Sequence, residues 1–134
     1  KKMRDHSQKL IREFSVKTRD EKQSIKALSG GNIQKVIVAR EFTAGSDLLV
    51  LDQPTRGVDI GAISFIHQKI LEMRMAGKGI LLVSADLNEL IALSDRILVM
   101  YKGEVVASLD NAEKVSEQEL GLYMLGIKRQ KEVV

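Results

Sequence analysis

The segment Ser29-Gly30-Gly31 has the chemistry to bind an anion. It stands before an apolar-rich run, residues 33–42, that predicts a helix. The serine can cap this helix, and the glycines allow a neighbouring group to approach the backbone closely. A serine hydroxyl and the N–H groups at the start of a helix form a site for an anion such as a terminal phosphate. The alternative is that these three residues only cap the helix and bind no ligand.

Two further positions follow predicted strands. The apolar run 48–51 ends in Asp52-Gln53, and the apolar run 80–83 ends in Ser84-Ala85. Continuous apolar runs of this length are typical of parallel strands buried on both faces. Because ligands of open parallel sheets bind beyond the carboxyl ends of the strands, Asp52, Gln53, Ser84 and Ala85 are candidate site positions.

The elements that position these residues alternate between helix and strand. Residues 3–14 predict a short amphipathic helix, which a charged linker, 17–26, follows. The order helix, helix, strand, helix, strand, helix, hairpin, helix predicts an α/β fold with parallel strands joined by a crossover. Capping and turn signals place the later elements: Asp59 before a helix that Gly77 stops, Asp86 with Glu89, Lys102-Gly103 in a hairpin, and Ser116 with Glu119 before a last helix near Gly126.

Composition narrows the function classes. The chain has 134 residues, which suits one domain, and its lack of cysteine excludes a disulfide scaffold, a thiolate zinc site and a cysteine nucleophile. No apolar run is long enough to span a membrane. Residues 1–26 hold nine Lys/Arg against four Asp/Glu, but one aromatic residue. A solvated helix face therefore explains this segment better than a nucleic-acid arm, and no nucleic-acid partner is expected.

Taken together, these motifs resemble those of ATP-binding cassette (ABC) ATPases. Residues 28–32 with Gln34 resemble the signature motif, and Asp52 ends a strand that resembles Walker B. Residues 54–59 resemble the D-loop, and Ser84 stands at the place of the switch region. The Gly-Gly-Asn signature with Thr-Arg-Gly-Val-Asp is most similar to the second nucleotide-binding half of importers for ribose, galactose and nucleosides.

The resemblance implies a partial P-loop NTPase domain with parallel strands, flanking helices and a C-terminal hairpin. Residues 1–134 would be the C-terminal part of a nucleotide-binding domain, excised from a longer protein. Residues 1–27 would end its helical subdomain and linker, 28–109 would carry the motifs, and 110–134 would form the last helix and tail. No Gly-x-x-x-x-Gly-Lys-Ser/Thr motif occurs, so the chain has no phosphate loop of its own.

The resemblance also implies roles for individual residues. ATP held by a partner half would meet the signature and D-loop residues, and Asp52 would lie near Mg²⁺. Gln53 replaces the glutamate that polarises water in the family, and Ala85 replaces the histidine at the switch. This catalytic side is therefore expected to be degenerate, and the isolated chain inactive. The nucleotide-contacting positions would be Ser29, Gly30, Gly31, Asn32, Gln34 and Asp59.

The expected partners are the second nucleotide-binding half and membrane permease subunits, at the cytoplasmic face of the cell membrane. Two alternatives stay open: a non-transport ABC ATPase of translation or DNA repair, and a non-catalytic interaction module. In similar folds the phosphate-loop strand lies between the strands formed here by about 79–84 and 96–101. Without it, the chain is expected to self-associate through these strand edges or to close the gap by rearranging.

Overall fold

The computed structural model of the chain describes residues 2–131 and residue 133. This part divides into two units, one ending at Leu81 and the other beginning at Leu82. The first unit contains helices α1 (Lys2–Glu13), α2 (Gly30–Phe42) and α3 (Ile60–Met75), strand β1 (Leu48–Asp52) and the start of β2 (Gly79–Val83). The second contains the rest of β2, helices α4 (Leu87–Leu93) and α5 (Glu117–Met124), and strands β3 (Arg96–Tyr101) and β4 (Glu104–Asp110).

Strands β1 and β2 form a two-stranded parallel sheet, with α3 as the connection between them. The Gly79 N–H donates to the Asp47 carbonyl at 2.8 Å, and the Lys78 ammonium pairs with the Asp47 carboxylate at 2.8 Å. Both contacts hold the start of β2 beside the start of β1. The predicted parallel α/β arrangement is confirmed.

The burial of β1 differs from the prediction. Leu49 and Leu51 are buried, whereas Leu48 and Val50 are 62% and 63% exposed. Leu81 and Val83 of β2 are also exposed. The prediction of strands buried on both faces is wrong for this chain, because the described residues cover one face of the sheet only.

Aromatic and cationic side chains link the helices of the first unit. The Phe14 and Phe65 rings meet edge to face at 6.3 Å, and the Lys35 ammonium lies 4.6 Å from the Phe65 ring centre. The Lys69 ammonium lies over both rings and pairs with Glu72 at 2.7 Å. These contacts pack helices α2 and α3 against the C-terminal end of α1.

The second unit is built on an antiparallel hairpin. Strands β3 and β4 pair from Arg96 opposite Asp110 to Tyr101 opposite Glu104. Lys102 and Gly103 form the turn with φ of 49° and 82°, the left-handed geometry that hairpin turns require. A buried cluster covers one face of the hairpin; it includes Ile97, Val99, Val106, Ala107, Leu109, Ala112, Leu120 and Tyr123.

The predicted caps of α4 and α5 are confirmed. The Asp86 carboxylate accepts from the N–H groups of Asn88 and Glu89, and the Ser116 hydroxyl accepts from Glu119 N–H. Among the residues that the structure describes, no helix has both the length and the apolar character needed to cross a bilayer.

Candidate functional site

Ser29 begins the signature helix with its backbone. Its φ and ψ of −67° and 158° are extended, and its carbonyl accepts the bond from Ile33 N–H at 2.9 Å. The expected side-chain cap is absent, because the Ser29 hydroxyl makes no capping bond and instead lies 2.8 Å from Asn32 Nδ2. Ser29 and Gly30 are both exposed, so this end of α2 presents a hydroxyl and backbone amides on the surface.

Asn32 makes two hydrogen bonds within the protein. Its Oδ1 accepts from the Lys17 backbone N–H at 2.7 Å, and its Nδ2 donates to Ser29 Oγ. The side chain is half-buried. Asn32 therefore connects the linker after α1 to the signature serine.

Gly31 is buried against the D-loop. A Cβ at Gly31 would lie 2.7 Å from Asp59 Oδ2 and 3.1 Å from Ala62 Cβ. The other oxygen of Asp59 accepts from Ala62 N–H at 2.9 Å, which confirms the predicted cap of α3. The structure thus brings together two predicted site residues, Gly31 and Asp59, and the contact leaves no space for a side chain at position 31.

Gln34 ties α2 to the same loop. Its Nε2 donates to the Pro54 carbonyl at 3.0 Å, and Pro54 is buried. Gln53 begins this loop with a φ of 49°, and its carbonyl accepts from Arg56 N–H at 3.1 Å. The signature and the D-loop consequently form one connected surface within the first unit.

Asp52 is exposed at the end of β1. The described residues contain no group of three or more His, Asp or Glu side chains placed to hold a metal ion. Mg²⁺ in nucleotide sites takes one or two carboxylates and completes its shell with phosphate and water. A single exposed carboxylate at the end of a strand fits that chemistry.

Ala85 lies in the second unit, between β2 and α4, and is exposed. The preceding Ser84 hydroxyl accepts from Asp86 N–H at 3.0 Å. The methyl side chain of Ala85 neither donates nor accepts a hydrogen bond. This position therefore brings no proton-transfer group to the segment after β2.

A cavity of about 470 Å³ lies between α1, the linker that follows it and α2. Its walls include Leu10, Ile11, Val36 and Ala39. None of the predicted nucleotide-contacting residues lines it. The candidate site is instead an open surface at the start of α2, the shape expected of a site that a second surface completes.

Sequence reasoning did not identify three groups that organise this surface. The backbone N–H of Lys17 and the carbonyl of Pro54 take part through the main chain, which carries no side-chain signal. The Lys35 ammonium donates to the Ser15 carbonyl at 3.2 Å, and a lysine on a polar helix face gives no hint of such a contact.

Comparison with known proteins provides the family context. No protein-family model matches the chain. The guanosine import ATP-binding protein NupO of Bacillus subtilis is 52% identical over 117 residues, which are 87% of this chain and 23% of that protein. The glucose import ATP-binding protein TsgD13 of Haloferax volcanii is 48% identical over 126 residues, 92% of this chain and 23% of that protein. The chain is homologous to part of the ATP-binding proteins of sugar and nucleoside importers.

The structural comparison agrees with this homology. The ATP-binding subunit of an ABC transporter superposes with a TM-score of 0.73 at 26% identity, covering 87% of this chain and 52% of that one. The chain therefore has the fold of part of an ABC ATPase, as the motifs predicted. It spans about a quarter of the length of its importer relatives.

Proposed function

We propose that this chain is part of the ATP-binding protein of an ABC importer for sugars or nucleosides, and that it presents its signature to ATP held by a partner half. The observation that carries the proposal is the exposed Ser29 hydroxyl beside Gly30 at the start of α2, held in place by Asn32. The import proteins that match nearly the whole chain support it, and they favour transport over a role in translation or DNA repair.

The proposed chemistry is electrostatic. The hydroxyl of Ser29 and the amides that open α2 donate hydrogen bonds to the terminal phosphate, where negative charge develops during hydrolysis. Asp52 would hold Mg²⁺, which would neutralise phosphate charge when bound. Gln53 orients water without accepting its proton, and Ala85 adds no donor, so the chain's own catalytic side turns ATP over slowly.

This sequence contains no phosphate loop. The loop that holds the ATP at Ser29 therefore lies outside these residues, and we assign it to a partner half. The one Gly-Lys pair of this sequence, Gly77-Lys78, is followed by Gly79 and lies in the turn before β2. The isolated chain is therefore proposed to bind ATP weakly and to hydrolyse none. In the importer it would sit at the cytoplasmic face of the membrane, against permease subunits that carry the solute.

The test is Ser29→Arg in the complete ATP-binding protein that carries this sequence. The bulk and charge of arginine at the phosphate contact should lower steady-state ATPase activity by roughly 10²-fold, the scale of losing a transition-state donor. Ser24→Arg is the matched control, since Ser24 is an exposed serine of the same unit that caps a 3₁₀ turn without a side-chain bond. Gln53→Ala should cost less than Ser29→Arg. A larger loss for Gln53→Ala would place the active site on this chain's own catalytic side.

A further inference from the structure

The hydrogen bonds around Asn32 fix the orientation of its side-chain amide. The Lys17 backbone N–H can only donate, so the amide atom 2.7 Å away must be the oxygen. The –NH₂ group then faces Ser29 Oγ at 2.8 Å. A flipped amide would set two donors against each other at Lys17 and is excluded by chemistry.

This orientation decides what the Ser29 hydroxyl can do. The –NH₂ group of Asn32 is a donor, so Ser29 Oγ accepts that bond and its own proton is directed to another acceptor. The oxygens of an ionised phosphate are acceptors. We propose that Asn32 is a positioning residue that makes Ser29 a hydrogen-bond donor to phosphate; this inference rests on the proposed function.

The linker after α1 holds the Lys17 N–H, the group that fixes the orientation of Asn32. Val16 is buried beside Lys17, and the Lys35 ammonium of α2 donates to the Ser15 carbonyl at 3.2 Å. The same ammonium lies over the Phe65 ring. The Lys17 N–H is thus held against α2, and the orientation of Asn32 depends on the linker that follows α1.

Asn32→Asp tests the assignment with an isosteric change. One carboxylate oxygen still accepts from Lys17, whereas the other now accepts the Ser29 proton and withdraws it from phosphate. In the complete protein we expect kcat at neutral to alkaline pH to fall on the order of 10²-fold. The ratio of variant to wild-type kcat should rise as the pH falls, because a protonated carboxyl donates to Ser29 again.

Two further variants separate this effect from a structural one. Asn32→Ala removes the orienting amide but leaves the Ser29 proton available, so its loss should be smaller than that of Asn32→Asp and its ratio to wild type independent of pH. Gln118→Glu makes the same amide-to-acid change at an exposed position of α5 and should leave kcat and its pH profile unchanged.

Ser29→Ala distinguishes failure of this inference from failure of the proposed function. If Ser29→Ala leaves ATPase activity intact, the proposed function fails, and this inference fails with it. If Ser29→Ala lowers activity while Asn32→Asp resembles Asn32→Ala with a pH-independent ratio, the inference is overturned and the function stands. A pH-dependent recovery of Asn32→Asp that disappears in the Ser29→Ala background supports the inference.

Discussion

The two glycines of the signature differ in what surrounds them. Gly31 is enclosed, with a built Cβ 2.7 Å from Asp59 Oδ2 and 3.1 Å from Ala62 Cβ. Gly30 is open, and its built Cβ has an ordinary contact of 3.7 Å with the Gly57 carbonyl. Gly31 is therefore needed for the approach of the D-loop to α2, whereas Gly30 tolerates a methyl group.

Gly31→Ala is expected to destabilise the chain by about 1–3 kcal/mol, the usual cost of adding a methyl group to a closed contact. Urea unfolding of the isolated chain, followed by circular dichroism, measures this change. Gly30→Ala is the matched control and should change the free energy of unfolding by less than half as much. Equal effects of the two substitutions would remove the packing role of Gly31.

At the scale of single residues, the sequence predicted which residues belong to the candidate site but not which contacts they make. The cap by Asp59 was predictable because capping depends on a residue type at a fixed distance from a helix start. The contact between Gly31 and Asp59 joins positions far apart in sequence, and spacing alone does not reveal it. The role of Lys17 was hidden because a backbone N–H belongs to almost every residue type.

Helix α1 is attached to the linker through Glu21. The Glu21 carboxylate pairs with Arg4 Nε at 2.6 Å and accepts from Gln8 Nε2 at 3.3 Å. A backbone hydrogen bond at Glu21 and the bond from Gln8 hold the pKa of this carboxyl below its ordinary value of 4.5, and the charge of Arg4 adds to the effect. The carboxylate is consequently the form that stabilises the fold.

The sign of the pH dependence follows from this lowered pKa. The stabilisation is complete above the ordinary value of 4.5 and is lost as the pH falls through the lower, folded-state pKa. Glu21→Gln should therefore lower the midpoint of urea unfolding near neutral pH, and its difference from wild type should shrink in acid. Glu13→Gln, the same change at an exposed carboxyl at the end of α1, serves as control. A Glu21→Gln difference that stays constant from neutral to acid pH would contradict the assignment.

The elements themselves were largely predictable. The sequence predicts a helix between Asp59 and Gly77 and a hairpin that turns at Lys102-Gly103. The structure confirms both, with the helix at Ile60–Met75 and the hairpin strands at Arg96–Tyr101 and Glu104–Asp110. The environment of the strands was not predictable in the same way. A run such as Leu48–Leu51 indicates a strand with two apolar faces. The sequence of the strand does not say whether residues of this chain pack against both of those faces.

At the scale of the whole chain, the residues that the structure describes form two two-stranded sheets, β1 with β2 and β3 with β4. Within the described residues no pairing joins β2 to β3, so strand pairing does not close the expected gap. Exposed apolar side chains stand on both strands, including Leu81 and Leu98. Unpaired strand edges with apolar side chains promote association between chains.

We therefore predict that the isolated chain self-associates. Its weight-average sedimentation coefficient should rise with protein concentration. Leu98→Lys, which adds a charge to β3, should weaken the association. A single monomeric species at every concentration, for wild type and variant alike, would refute the prediction.

The chain corresponds to only part of its relatives, and its own sequence says least about the polypeptide that lies beyond it. The chain covers 52% of a solved ATP-binding subunit and about a quarter of its importer relatives. The absence of a phosphate loop from these residues can be read from the sequence, whereas the surface that we propose to meet the signature lies outside the chain. The central claim is that this surface belongs to a partner half that holds ATP.

Cysteine cross-linking tests that claim most directly, and the chain contains no cysteine of its own. In a complete, otherwise cysteine-free protein, Ser29→Cys is combined with a cysteine in the phosphate loop of the partner half. We predict that a disulfide at position 29 forms with Mg-ATP and not without it. The control variant Ser24→Cys should form no disulfide with the same partner cysteine under either condition. A cross-link at position 29 that is absent with ATP, or that forms equally without nucleotide, would contradict the account.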